Sequence, residues 1–238
     1  LKSSQRKEVL DYLELIVEEA DYKDTSNYIC FKNGIYDVTT DELLPFSPEI
    51  IVTNKINHNY NPDATSEILE TMLNNISCGD AGIRSLLEEM AGYCMYRRNE
   101  LRKAFILTGD KKNGKSTYLD MVTRMLGDNN ISALDLSDLC TTFRPAEIVG
   151  KLANIGDDIG DEFIKNPAIF KKVVSGDRIT VEKKGADPFQ FSNYAKLLFS
   201  ANDIPRIKDK SGAVIDRLII IPFNATFDKN APGFDPFI

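Results

Sequence analysis

The chain has 238 residues, 42% hydrophobic and 27% charged, which is enough to bury a sizeable core in one large domain or two smaller ones. These proportions exclude a disordered or fibrous chain, and no apolar run approaches the length of a membrane span. A formal net charge of −7 argues against a protein that coats nucleic acid through bulk electrostatics, but it leaves room for a local basic element.

Cys30, Cys78, Cys94 and Cys140 are scattered without a CxxC pair, as expected of reduced thiols in a cytoplasmic protein. The one histidine, His58, is flanked by Asn57 and Asn59 and reads as a turn residue, so no zinc site is expected. Residues 1–7 form no signal-peptide core and the first residue is not Met, so a piece or processed product of a longer protein is expected.

Residues 5–20 carry Val9, Leu10, Tyr12, Leu13, Ile16 and Val17 at helical spacing, which predicts an amphipathic helix. Residues 28–31 and 35–38 flank Lys32-Asn33-Gly34 as a hairpin, and 43–46 reads as a further short strand. Two helices are expected at 67–76 and 81–96. We therefore read 1–99 as an accessory α+β region and 100–238 as a second domain of alternating strands and helices. In that domain the buried-strand patterns are 104–108, 131–134, 152–155, 195–200 and 218–221, implying an α/β fold with a mostly parallel sheet flanked by helices.

Between the first strand of this series and the helix expected after it lies Gly109-Asp110-Lys111-Lys112-Asn113-Gly114-Lys115-Ser116-Thr117, which meets the requirements of a phosphate-binding loop. Glycines let backbone N–H groups turn toward a polyanion, and a helix N-terminus adds about half a positive charge aimed at the same place. Lys115 would reach the β and γ phosphates of ATP, and Ser116 would offer its hydroxyl to Mg²⁺. The competing reading is an ordinary Gly-rich turn.

The strand at 152–155 runs into Asp157 and Asp158. Lying beside the phosphate loop, it would deliver one carboxylate to Mg²⁺ and the other to the attacking water, which we assign to Asp157 and Asp158 respectively. Asp161 and Glu162 compete for these roles, and acids that merely cap a turn or helix are the plain alternative. Between Lys165 and Lys184 six positive residues meet only Asp177 and Glu182, and a hairpin is expected at 178–191 with Lys183 and Lys184 at its tip. The strand at 195–200 ends in Asn202, placed to bond a γ phosphate or water, or to make a turn. Arg217 precedes the last strand as a candidate for stabilising phosphoryl-transfer charge, in its own subunit or a neighbour's, or as a surface arginine.

These pieces in this order resemble the superfamily 3 helicase domain, a branch of the AAA+ ATPases, as found in phage, plasmid and large-DNA-virus primase-helicases. Phe170-Lys171-Lys172-Val173-Val174-Ser175-Gly176-Asp177-Arg178-Ile179 resembles the segment leading into the family's hairpin. Lys196-Leu197-Leu198-Phe199-Ser200-Ala201-Asn202-Asp203-Ile204-Pro205 is similar to its Asn-ended strand, and Asp216-Arg217 to its arginine-finger region. Residues 29–37 and 88–93 look like the accessory region that precedes the ATPase domain in these viral proteins. Many relatives have two arginines where this chain has Asp216-Arg217, so only Arg217 is carried over. The resemblance implies an AAA+ P-loop NTPase core with a projecting β-hairpin and ATP and Mg²⁺ as cofactors. It further implies a homo-oligomeric, usually hexameric ring with Arg217 reaching a neighbour's nucleotide. Lys183 and Lys184 would line a channel for single-stranded DNA, and ATP hydrolysis would drive translocation in replication of a phage, plasmid or viral genome. No primase catalytic domain is evident, so a primase domain or replication proteins are expected as partners outside this chain, and no membrane. The alternatives are an ATP-switched replication initiator or loading scaffold and a P-loop kinase, the latter disfavoured by the Lys-Gly hairpin and the Asn-ended strand.

Overall fold

A computed structural model describes residues 2–16, 24–141, 144–156, 167–204 and 211–228. The first helix, α1 (Ser3–Ile16), begins two residues before its expected start, and residues 17–20 lie outside the described set. Its expected apolar face, Val9, Leu10, Tyr12, Leu13 and Ile16, is at least 44% exposed throughout, so helical periodicity here does not correspond to burial among the described residues.

Three short strands follow, β1 (Tyr28–Cys30), β2 (Ile35–Asp37) and β3 (Glu42–Leu44), forming an antiparallel meander in that order. Gly34 is needed in the first turn, because a Cβ there would stand 2.6 Å from the Leu44 carbonyl oxygen. Two helices complete this region. Helix α2 (Glu67–Ile76) is capped by Ser66, whose hydroxyl accepts from Leu69 N at 3.3 Å, and α3 (Ala81–Met95) by Asp80, whose carboxylate accepts from Gly82 N at 2.8 Å.

From β4 (Ala104–Thr108) onward come α4 (Lys115–Leu126), β5 (Ile131–Ser132), β6 (Ala153–Gly156), α5 (Pro167–Ser175), β7 (Arg178–Val181), β8 (Phe189–Ser192), β9 (Lys196–Ala201) and β10 (Leu218–Pro222). The expected alternation of strand and helix is therefore partial among the described residues, with only short 3-10 turns between β5 and β6 and before β10. Five of these strands form one sheet in the order β10-β4-β9-β6-β5, with every neighbouring pair parallel. Every residue of β4 and β9 is buried, as strands covered on both faces require. Expectation and structure part at two points. Strand β6 is not beside β4, because β9 lies between them; chain order does not dictate neighbour order in a parallel sheet. Strand β5 stops at Ser132 rather than 134, because the Asn154 side chain takes over: its amide donates to Leu134 O at 2.9 Å and its oxygen accepts from Leu134 N at 2.8 Å.

One apolar cluster joins Phe105, Leu107, Tyr118, Val122 and Leu198 to Ile29, Ile56, Leu73, Ile76, Leu87 and Met90, so residues from 1–99 and from 100–238 share a core. A second cluster gathers Phe170, Val173, Leu197, Phe199, Ile179 and Val181. Buried polar groups stitch the two segments together. Asn54 donates to Asn130 Oδ1 at 3.0 Å and to Gly150 O at 2.8 Å, and accepts from the Tyr194 hydroxyl at 2.8 Å.

Lys196, 1% exposed at the start of β9, is the deepest cation in the described chain. Its ammonium donates to Tyr96 O at 2.5 Å and Tyr194 O at 2.7 Å and lies 4.4 Å from the centre of the Tyr93 ring. Burial pulls its pKa from 10.5 down to about 7, against the opposing influence of Cys94, whose thiol burial raises to about 12. Between those two Lys196 values the unfolded chain binds more protons than the folded one, so this group makes stability rise with pH. Urea unfolding from about pH 7 to about pH 10 should therefore show wild type gaining on Lys196→Met by up to about 1.4 kcal/mol per pH unit. Parallel pH profiles of the two proteins would refute that linkage.

Candidate functional site

The turn from β4 into α4 is built by backbone conformations that ordinary side chains resist. Gly109 has φ +145°, Lys112 +61° and Gly114 +94°. A Cβ on Gly109 would collide with the Asn113 amide and the Phe223 carbonyl, and one on Gly114 would lie 2.8 Å from Ile76. Gly114 is the N-cap of α4 and supplies no side-chain acceptor, so no cap occupies the positive end of a helix of 12 residues.

The loop is braced from behind. Asn113, buried, donates to Phe223 O at 2.9 Å, Phe223 N donates to Thr108 O at 2.7 Å, and Phe227 N donates to Lys112 O at 2.9 Å. Thus the segment leaving β10 straps the loop, and the C-terminal end of α2 presses on it through Ile76. Lys115 folds its ammonium back over the loop, donating to Gly109 O, to Asp110 O at 2.9 Å and to Asn113 Oδ1 at 3.1 Å. Asp110, Lys111, Lys112, Ser116 and Thr117 are exposed. A cationic side chain, a helix N-terminus without a side-chain cap and an exposed hydroxyl together suit a bound polyanion.

Asn202 stands just past the end of β9, beside this loop: Thr108 pairs with Ala201, and Gly109 N donates to Ala201 O at 3.3 Å. Strand β6 ends at Gly156 on the same edge of the sheet, where a Cβ would meet Leu134 O and Phe199 at 2.6 Å each. Asp157, Asp158, Asp161 and Glu162 fall outside the described residues. Among the described residues no group of three or more His, Cys, Asp or Glu is placed to hold a metal ion.

Arg217 and the hairpin occupy the other edge. Arg217 ends a short turn, Ile215–Arg217, immediately before β10, and Leu218 pairs with Ala104 at the start of β4. About 15 Å of strand therefore separates it from the loop of its own chain. The guanidinium donates from Nε to Ser175 Oγ at 3.1 Å and from Nη1 to Ala213 O at 2.8 Å. Strands β7 and β8 pair antiparallel, and Ile179, Val181, Phe189 and Phe191 pack on the second cluster. The tip from 183 to 186 is exposed, closed by an Ala186 N to Lys183 O bond of 3.0 Å with Gly185 at φ +80°. Lys183 sits 5.6 Å from the centre of the Phe189 ring, and Lys184 is exposed. Sequence reasoning missed Asn193, which bonds Val173 O and Ala195 O at 3.0 Å each and roots the hairpin. It also missed the Phe223 and Phe227 strap. An Asn next to a strand start and aromatic residues after the last strand were the only signals, and both are common.

Two protein families match parts of the chain: one described as D5 N terminal like over residues 1–78, and a family of unknown function (DUF5906) over residues 107–217. Three viral proteins are similar along most of it. "Putative helicase L207/L206" of Acanthamoeba polyphaga mimivirus is 25% identical over 87% of the chain, "Putative helicase 121R" of Invertebrate iridescent virus 3 is 26% identical over 92%, and "Putative helicase 184R" of Invertebrate iridescent virus 6 is 26% identical over 84%. The chain spans about a quarter of the length of these relatives, 23%, 25% and 22% respectively. Among solved structures, the A form apo structure of the NrS-1 C terminal region matches with a TM-score of 0.60 at 16% identity, over 98% of this chain and 55% of that one. The apo structure of the NrS-1 C terminal region (305-718) matches at 0.59 and 15% identity, over 97% and 56%. These likenesses to NrS-1 show a shared fold. No helix among the described residues is long and apolar enough to cross a membrane.

The loop geometry carries a stability test. Gly109→Ala must both distort the backbone and displace Asn113 or Phe223, whereas Gly79→Ala, at φ +75° with nothing within 4 Å, meets only backbone strain. Urea unfolding should show Gly79→Ala losing about 1 kcal/mol and Gly109→Ala about 1–2 kcal/mol more than that. Equal losses would contradict the close packing behind the loop.

Proposed function

We propose that this chain is the ATP-hydrolysing part of a replicative DNA translocase of the superfamily 3, AAA+ type. The observation that carries this reading is the braced glycine loop at the carboxyl end of β4 in a parallel sheet, with Asn202 just past the neighbouring strand end beside it. The names of the viral relatives point the same way.

In this reading the N–H groups of 110–114 cradle the phosphates of ATP, and Lys115 exchanges neutral loop carbonyls for phosphate oxygens, a charge-assisted and stronger partnership. The donor set fits Mg²⁺, a hard cation that takes oxygen ligands and keeps several waters: Ser116 offers an exposed hydroxyl at the N-terminus of α4, and Asp157 follows β6 in sequence. When bound, the metal would neutralise charge between the β and γ phosphates. Asp158 is assigned to orient or deprotonate the attacking water, and Asn202 to hydrogen-bond that water or the γ phosphate.

Because Arg217 and the loop of its own chain sit at opposite ends of β10 and β4, Arg217 serves a neighbouring copy's nucleotide. Strand β10 is the edge of the five-stranded sheet, which suits a residue acting across a subunit boundary. Lys183 and Lys184, at an exposed tip of an otherwise acidic protein, grip the phosphates of single-stranded DNA without reading sequence. An ATP-switched initiator would share the nucleotide site but show weak stimulation of hydrolysis by single-stranded DNA.

Lys115→Ala is expected to lose ATP hydrolysis by about a hundredfold or more while keeping the wild-type circular dichroism spectrum, since the ammonium bonds the loop and not the core. A folded Lys115→Ala protein with normal turnover sinks the assignment. For the hairpin, Lys183→Ala with Lys184→Ala should weaken single-stranded DNA binding and lower the slope of log affinity against log salt by about 0.7 for each phosphate no longer neutralised. An unchanged slope in titrations at several salt concentrations would remove the tip from the DNA path.

A further inference from the structure

Arg217 is a half-buried cation with neutral hydrogen-bond partners. Its guanidinium rests on the Ser175 hydroxyl and the Ala213 carbonyl, and no acid of the described residues forms an ion pair with it. Hydrogen bonds from a charged donor to neutral acceptors hold the side chain in place without neutralising it, so an incoming phosphoryl group outcompetes them through charge and two-pronged geometry.

The partner residue is placed at a joint. Ser175 is the last residue of α5, whose end is closed by Gly176 at φ +72° with bonds from Gly176 N to Val173 O at 3.3 Å and from Asp177 N to Lys172 O at 3.0 Å. Strand β7 begins at Arg178, three residues after Ser175. The other root of the hairpin is tied to the same helical turn, since Asn193 donates to Val173 O at 3.0 Å, and a Cβ on Gly176 would stand 2.9 Å from Asn193 O. Lys103, just before β4, donates to the Asp216 carbonyl and holds the turn that carries Arg217. Displacing the hairpin root therefore moves Ser175, and moving Ser175 breaks one of the two bonds that park Arg217.

We propose that Ser175 is a positioning residue that restrains Arg217 at the hairpin root, so that engagement of the hairpin by single-stranded DNA releases the arginine to a neighbouring copy's nucleotide. This rests on the translocase reading. The Ser175 hydroxyl is thus the link between the DNA-gripping element and the hydrolytic site of the next subunit, and in the absence of DNA it acts as a brake. A merely structural Ser175 could only lower activity when removed, whereas a brake raises it.

The test is steady-state ATP hydrolysis by wild type, Ser175→Ala, Ser175→Thr and the Ser175→Ala, Arg217→Ala double variant, each with and without a single-stranded oligonucleotide. Ser175→Ala is expected to raise kcat without DNA by about tenfold or more, the worth of one hydrogen bond from a charged donor, with KM for ATP unchanged and stimulation by DNA reduced to match. Ser175→Thr, which keeps a hydroxyl, should behave as wild type, and the double variant should lose the gain. If wild type is stimulated by DNA but the DNA-free rate of Ser175→Ala is unchanged or lower, the brake is overturned and the translocase reading stands. If wild type is not stimulated at all, the translocase reading falls and takes the brake with it.

Discussion

The glycine loop, Asn202 and Arg217 are positioned by one constraint, the burial of β4 between two parallel partners. With β10 on one side and β9 on the other, and apolar clusters on both faces, β4 has no exposed residue along its length. A parallel sheet of this kind leaves only its two ends for chemistry. At the carboxyl end stand the glycine loop, Asn202 and the end of β6; at the amino end stand Arg217, the hairpin root and the connector through residues 97–103. The separation of these two groups follows from strand direction alone.

The second organising feature is a set of buried amides and one buried amine at the junctions where hydrophobic contact is not directional enough. Asn54, Asn130, Asn154 and Asn193 each complete hydrogen bonds to backbone groups or to one another across long stretches of sequence. Losing one partner of such a group leaves the other buried and unsatisfied, at about 1–3 kcal/mol. Lys196 belongs to the same class at higher stakes, because its charge is removed from water and offset only by two carbonyls and an aromatic face. Asn54, Asn130 and Lys196 fix where the N-terminal segment sits on the sheet, Asn154 and Asn193 work within residues 100–238, and the shared apolar cluster supplies the bulk of the favourable burial.

The glycine loop illustrates strain that is held from outside. Three positive-φ residues in six positions would not persist in an isolated peptide. Here Asn113, Phe223 and Phe227 hold them, and Lys115 bonds the carbonyls the turn leaves facing inward. The positive-φ glycines at 109 and 114 turn their Cβ sides toward Phe223 and Ile76, so the loop's shape and its support from the neighbouring segments are one packing solution.

The local features were legible in the sequence because they depend on neighbours within a few residues. The helix at 67–76, the buried strands β4 and β9, the glycine loop and the Lys183-Lys184 turn are each specified by periodicity, glycine placement or turn chemistry, whereas the apolar run 218–221 became an edge strand with Ile220 exposed. Tertiary structure alone decided the rest. It set β9 rather than β6 beside β4, which depends on which hydrophobic strands interdigitate; it ended β5 early through Asn154, twenty residues away from its partner Leu134; and it parked Arg217 on Ser175, 42 positions earlier. It also left the regular apolar face of α1 exposed among the described residues. A repeat of apolar residues encodes which side of an element is hydrophobic, but what that side meets is fixed by contacts between segments that share no local pattern.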